Sequence, residues 1–173
     1  KVSFDEIFEN LPVKNYQIKT NEYLKVGKYP VIDQGKKKIV AYSNKREKLF
    51  NVPDTGVIVF GDHTRELKFI DFDFIVGADG TKVLKTKKGF NTRYYYYHLL
   101  IKKIPNTGYN RHFKFLKDMW FYKPSEEEQQ AISKVLNTID KELDLLESEV
   151  EFLRKQKKGL MQLLLTGKVR VKV

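Results

Sequence analysis

From Ile132 to Gln156 the chain reads ISKVLNTIDKELDLLESEVEFLRKQ, without glycine or proline and with an apolar residue every three or four positions. That period belongs to a helix and not to a strand. Pro124 and Ser125 precede it, Glu128 follows the serine by three residues as in a capping box, and Gly167 stops it, which predicts a helix over 125–166. Some 40 residues make a rod about 60 Å long, whereas a domain of this chain's size is about 30 Å across. Most of such a rod must project. With Leu136 at heptad position a, the d positions are Ile132, Ile139, Leu146, Leu153 and Leu160, and the a positions are Leu136, Leu143, Val150, Lys157 and Leu164. Nine of these ten are apolar, as a coiled-coil seam requires, so the helix needs a second helix as partner. Lys157 would face its own copy in a parallel pair, which favours an antiparallel one. Leu145 and Phe152 form a second stripe, at position c, suited to a different protein. The alternative, an amphipathic helix lying on its own domain, conflicts with the length.

Upstream the pattern changes. Residues 29–88 are rich in β-branched and aromatic side chains and cut at short intervals by Gly and Asp, which predicts strands at YPVID (29–33), KIVAYS (38–43), GVIVFG (56–61), ELKFI (66–70), DFIVG (73–77) and KVLKT (82–86). Turns fall at QGKK, PDTG and ADGT. Links this brief favour an antiparallel or mixed sheet over a doubly wound parallel one. Asn91 or Thr92 can cap a helix through TRYYYYHLL, with Tyr96, Leu99 and Leu100 on one face. Its four tyrosines suit core and rim packing better than a base-stacking platform. PNTGYNRH is a polar loop and MWFY a closing strand. The expectation is an α+β chain: a target-reading globular domain over 1–124 with a mixed or antiparallel twisted sheet and a few helices, a long coiled-coil helix over 125–166, and a short basic tail over 167–173.

Charge is unevenly placed. Residues 125–173 hold nine Lys+Arg and nine Asp+Glu, so the whole formal excess of +11 lies in residues 1–124. A field of that sign attracts polyanions through counterion release, with nucleic acid the first candidate and an anionic membrane surface the second. No apolar run approaches the roughly 20 residues that cross a bilayer. KVSFDEIFEN has neither signal-peptide nor transit-peptide character, and the chain contains no cysteine. A cytoplasmic protein without membrane contact is expected.

Two segments then resemble one family. PSEEEQQAISKVLNTIDKELDLLESEVEFLRKQKKGLMQLLLTGKVRV is similar, in its EEQQ start, its KKGLMQ run and its LLTGKVRV end, to the helical region of DNA specificity subunits of Type I restriction–modification systems. YPVIDQG followed by VIVFGDHTRELKFIDFDFIVGADGTKVLK resembles their target-recognition domain. The resemblance implies a non-catalytic subunit. Two recognition domains are normally joined by two helices that pair antiparallel as a spacer between DNA half-sites. Modification subunits, which are adenine methyltransferases binding S-adenosylmethionine, grip this scaffold, and ATP-dependent restriction subunits join them. No cofactor is expected on this chain itself. With one recognition domain and one helix, the chain resembles a half-subunit or the C-terminal half of a longer one, and a homodimer reading double-stranded DNA is expected. A recognition fragment of a fused restriction–methylation enzyme, or a coiled-coil module binding RNA or an acidic protein, are the alternatives.

The residues fit a reader rather than a catalyst. No Walker-type loop or Ser/His/Asp spacing is present, and His63 with Asp62, Asp71 and Asp73 makes an improbable metal set. Lys36, Lys37, Lys38, Lys85, Lys87 and Lys88 lie in or beside turns and suit phosphates. Base edges call for Arg, Asn, Gln and other polar groups on protruding loops. Candidates are Tyr42, Ser43, Asn44, Lys45 and Arg46, then His63, Thr64 and Arg65 of GDHTR, Lys82 and Arg93, and finally Tyr109, Asn110, Arg111 and His112. For GDHTR a turn-stabilising role competes, because Asp62 and Thr64 are turn-formers.

Overall fold

The run VIVFG is apolar at every position, as in a strand covered on both faces. In the computed structural model, which describes residues 1–108 and 110–172, it forms strand β6 (Val57–Gly61), and all five residues are buried. It pairs antiparallel with β7 (Leu67–Ile70) and β9 (Thr81–Thr86), and β9 pairs with β2 (Phe8–Leu11), giving the order β2-β9-β6-β7. A second sheet runs β4 (Ala41–Ser43), β3 (Tyr29–Ile32), β8 (Phe74–Val76), β5 (Leu49–Phe50). It is mixed, because β3 and β8 are parallel and the other pairs antiparallel. A two-stranded ribbon joins β1 (Val2–Ser3) to β10 (Trp120–Phe121).

Side chains alternate along β6. Ile58 and Phe60 point with Leu84 into a cluster built by α1 (Phe4–Ile7), α2 (Thr92–Leu100), α3 (Phe113–Lys117) and β10, through Phe4, Tyr95, Leu99, Leu116 and Phe121. Val57 and Val59 meet Ile32, Phe50, Phe74 and Val76 of the mixed sheet. A smaller cluster of Ile18, Val31, Ala41 and Ile75 covers that sheet's other face, since neighbouring residues on a strand point opposite ways. The layers are therefore helices, antiparallel sheet and mixed sheet. Each fully buried aliphatic or aromatic side chain contributes about 1.5–3 kcal/mol, so β6, buried on both faces, is a rigid base for the loops at its end.

Asn91 caps α2, its side-chain oxygen accepting from the Tyr94 N–H at 2.9 Å. The buried face is Thr92, Tyr94, Tyr95 and Leu99. Leu100, expected on that face, is 49% exposed, because it lies one residue, about 100° of helix, past Leu99.

Helix α4 spans Glu126–Leu165. Ser125 Oγ accepts from the Glu128 N–H at 3.3 Å, and the Glu127 carboxyl is held below its ordinary range by its own amide and by Ser125. At the other end Gly167 takes a φ of 70°, its N–H reaching the Leu164 carbonyl at 3.2 Å. The chain divides into two units, Lys1–Ser133 and Lys134–Val173, so the division falls inside α4 and not at residue 124. The cause lies in the first turns: Gln129 and Ser133 are buried, and Ile132 packs on the helix-side core. Ile132, expected as a seam residue, is partly buried against the core of the first unit. Among the described residues, no helix is long and apolar enough to cross a membrane.

Candidate nucleic-acid interface

Three loops meet at Gln34, in the QGKK turn. Its main-chain carbonyl accepts from Thr64 Oγ1, its Oε1 accepts from the His63 N–H at 3.2 Å, and its Nε2 donates to the Asp79 carbonyl at 2.9 Å. Gly80 makes room for this side chain: its φ is +86°, and a Cβ there would stand 2.8 Å from both Gln34 Oε1 and His63 Cδ2. Beneath lies Lys68, a buried amine donating to the Asp33 carbonyl at 2.7 Å, with its pKa lowered by burial.

Asp62 connects this junction to the second reading loop. Its N–H donates to the Gly80 carbonyl at 2.7 Å, and its carboxylate accepts from the Phe113 N–H at 2.8 Å, at the first residue of α3. Its carbonyl accepts from the His112 N–H at 2.8 Å and faces His112 Nδ1 at 2.9 Å. A carbonyl opposite Nδ1 requires the proton there, leaving Nε2 to accept from the Thr107 N–H at 3.4 Å. GDHTR is therefore a turn whose polar groups are tied to three other loops, and Arg65, with a φ of 65°, closes it by donating to the Gly61 carbonyl.

Engagement inside the fold separates the expected reading residues. Ser43 and His112, expected on protruding loops, are buried. Asn44 Oδ1 accepts from the Lys28 N–H, Lys45 pairs with Glu22, and Thr64 holds Gln34. Arg93 stacks 3.8 Å over the Phe69 ring and pairs with Asp71 at 3.0 Å, a packing role sufficient to explain it. Lys85 pairs with Glu9, and Lys87 donates to the Asp5 carbonyl. Tyr42 is half-buried, its main chain paired to Leu24 and Pro30. Arg46, Lys36, Lys37, Lys38, Lys88 and Asn110 are exposed, although Lys38 leans on Phe72 and the Asn110 amide donates to the Thr107 carbonyl. Tyr109 lies outside the described residues.

The remaining candidates, His63, Lys82 and Arg111, line one cleft of about 420 Å³. Its other wall holds Asn10, Lys14 and Gln17, which sequence reasoning missed. They come from β2, from the 3-10 turn Lys14–Tyr16 and from the residue that follows that turn, far along the chain from Arg111. A basic and an amide residue in a short polar link carry no signal until the fold sets them opposite the ADG turn. Among the described residues, no hydrogen bond or ion pair engages the side chains of Asn10, Lys14, Gln17 or Arg111, and Lys82 only overlies the Phe113 ring at 5.6 Å. The cleft thus concentrates unengaged donors and acceptors. Among the described residues no group of three or more His, Asp or Glu could hold a metal.

The helix offers another surface. Ile139, Leu143, Leu146, Val150, Leu153, Leu160 and Leu164 are each between 39% and 52% exposed, and Leu136 is partly buried. Leu145 and Phe152, off that line, are 72% and 64% exposed.

Residues 1–151 match the family model described as the Type I restriction modification DNA specificity domain. The putative type I restriction enzyme MjaX specificity subunit of Methanocaldococcus jannaschii is 32% identical over 140 residues, which is 77% of this chain and 33% of that protein. The EcoR124I/EcoR124II specificity subunit of Escherichia coli is 30% identical over 91 residues, 53% of this chain and 22% of that one. In fold, the S subunit of a type I restriction–modification system from M. genitalium superposes with a TM-score of 0.72 at 19% identity, over 94% of this chain and 44% of its own. This chain spans a third of the length of the first relative and less than half of that solved structure. With one recognition domain and one long helix, it belongs to the family of specificity subunits of Type I restriction–modification systems.

Proposed function

We propose that this chain is a non-catalytic DNA reader that recognises one half of a bipartite duplex site. The observation that carries the reading is the cleft at the end of the antiparallel sheet, where side chains able to bond base edges are left unengaged by the fold. Lys36, Lys37, Lys38 and Lys88 serve the phosphates, and Arg111 reads a base, guanine being the partner its fork matches. The α4 seam pairs antiparallel with the same seam of a second copy or second half, which sets the distance between two reading heads. Modification subunits dock on this scaffold and bring S-adenosylmethionine, and restriction subunits bring ATP.

The test is selection of bound duplexes from a random-sequence library by the purified chain, read by sequencing. Enrichment of a short motif, appearing twice at fixed spacing and in inverted orientation, is the expected result. Salt-sensitive binding that enriches nothing, or equal binding of RNA, would sink the reading in favour of a general polyanion binder.

A further inference from the structure

Two cleft residues stand out by chemistry and by mounting. Asn10 lies on β2, its main chain paired with Leu84 of β9. Gln17 follows the 3-10 turn, and its main chain bridges Val76 of β8. Both amides are therefore carried by backbone held in the two sheets, where a reading group can be placed more accurately than on a free loop. Among the described residues neither is engaged within the fold, whereas the Asn91 amide caps α2 and those of Asn44, Gln34 and Gln129 serve as internal ties.

Asp79 and the buried Asp62 line the cleft together with the basic Lys14, Lys82 and Arg111. Acidic and basic groups side by side suit a base edge, which presents donors as well as acceptors, better than a bare phosphate. An amide side chain matches one edge best, the adjacent donor and acceptor of adenine in the major groove.

We infer that Asn10 and Gln17 are base-reading residues of this module, each suited to an adenine edge, and form the specificity wall opposite Arg111 and Lys82. The inference rests on the DNA-reading function proposed above and goes beyond it by naming the residues and the base class. Lys14, between them, supplies phosphate attraction at the rim.

Library selection with the full chain and with Asn10→Ala, Gln17→Ala and Gln17→Glu tests this directly. The alanine variants should select a motif in which preference at an A·T position has dropped by on the order of tenfold or more, while affinity for non-specific duplex and its salt slope stay unchanged. Gln17→Glu should shift the preferred base at its position to cytosine, whose amino group a carboxylate accepts. Both residues are on the surface or half-buried, so wild-type melting temperatures are expected and are measured alongside. If the alanine variants select the wild-type motif at wild-type stringency, the inference is wrong while the reading function stands. A uniform loss on every sequence with a shallower salt slope would make them phosphate contacts and overturn it as well. A wild-type chain that enriches no motif would overturn the reading function itself.

Discussion

Arg111 and the lysines of the QGKK loop carry the same charge and should behave differently. Arg111 is exposed at the cleft with no partner among the described residues, whereas Lys36, Lys37 and Lys38 extend from a bend outside the residues that line it. Arg111→Ala should lower binding to the selected site roughly tenfold or more and leave non-specific duplex almost unaffected. Changing the three lysines to Ala together should weaken both equally and reduce the slope of log K against log salt by up to about 0.9 for each phosphate no longer neutralised. Equal losses on both DNAs for Arg111→Ala would make it a phosphate-binding residue. A second residue-scale effect lies in the core. His98 packs against Tyr95 and Phe121, its Nδ1 is buried without a hydrogen-bond partner among the described residues, and burial together with Lys102 lowers its pKa from the ordinary 6.5. The unfolded chain therefore takes up the proton more readily than the folded one. The stability due to neutral His98 is complete above pH 6.5 and is lost as pH falls through the lower folded value. Thermal melts between pH 7.5 and 5 should show this loss, and His98→Gln should flatten it. An unchanged pH dependence in that variant would assign it elsewhere.

At the scale of elements, the turn after β6 works as a clamp. Asp62→Ala removes the acceptor of the Phe113 N–H at the start of α3 and should cost about 1–3 kcal/mol, seen as a drop of several degrees in melting temperature. Asp62→Asn, which keeps a carbonyl oxygen, should recover much of it. A melt of Asp62→Ala indistinguishable from wild type would show that α3 is held without this carboxylate. GDHTR stands out in the sequence, but its role does not, since turn geometry and base contact use the same residue types. β3, β4, β6, β7, β8 and β9 were legible because β-branched runs bounded by glycine and aspartate have few other folds open to them. β1, α1, β2, β5 and α3 were not legible, as each is two to five residues long and is held by partners distant in sequence, such as Val2 by Phe121 and Leu49 by Ile75. For the same reason the cleft was half legible. Lys82 and Arg111 sit beside recognisable turns, while Asn10, Lys14 and Gln17 acquire meaning only from what the fold places across from them.

On the scale of the whole molecule, the seam on α4 is the feature that asks for another chain. Changing Leu143 and Leu146 to Glu should convert the expected dimer to a monomer by light scattering without altering the melting of the first unit, because neither residue belongs to that unit's core. A wild-type chain that is monomeric at high concentration would count against pairing between copies. The ribbon that joins Val2 to Phe121 has a kinetic counterpart. A chain made from its N-terminus outward cannot close its first unit until residue 121 has left the ribosome, and pairings of such long sequence separation form slowly. The apolar seam of α4 is synthesised after that point. Nascent chains on one messenger would then meet through their helices only once the basic unit of each has everything it needs to fold, so that assembly follows folding by order of manufacture.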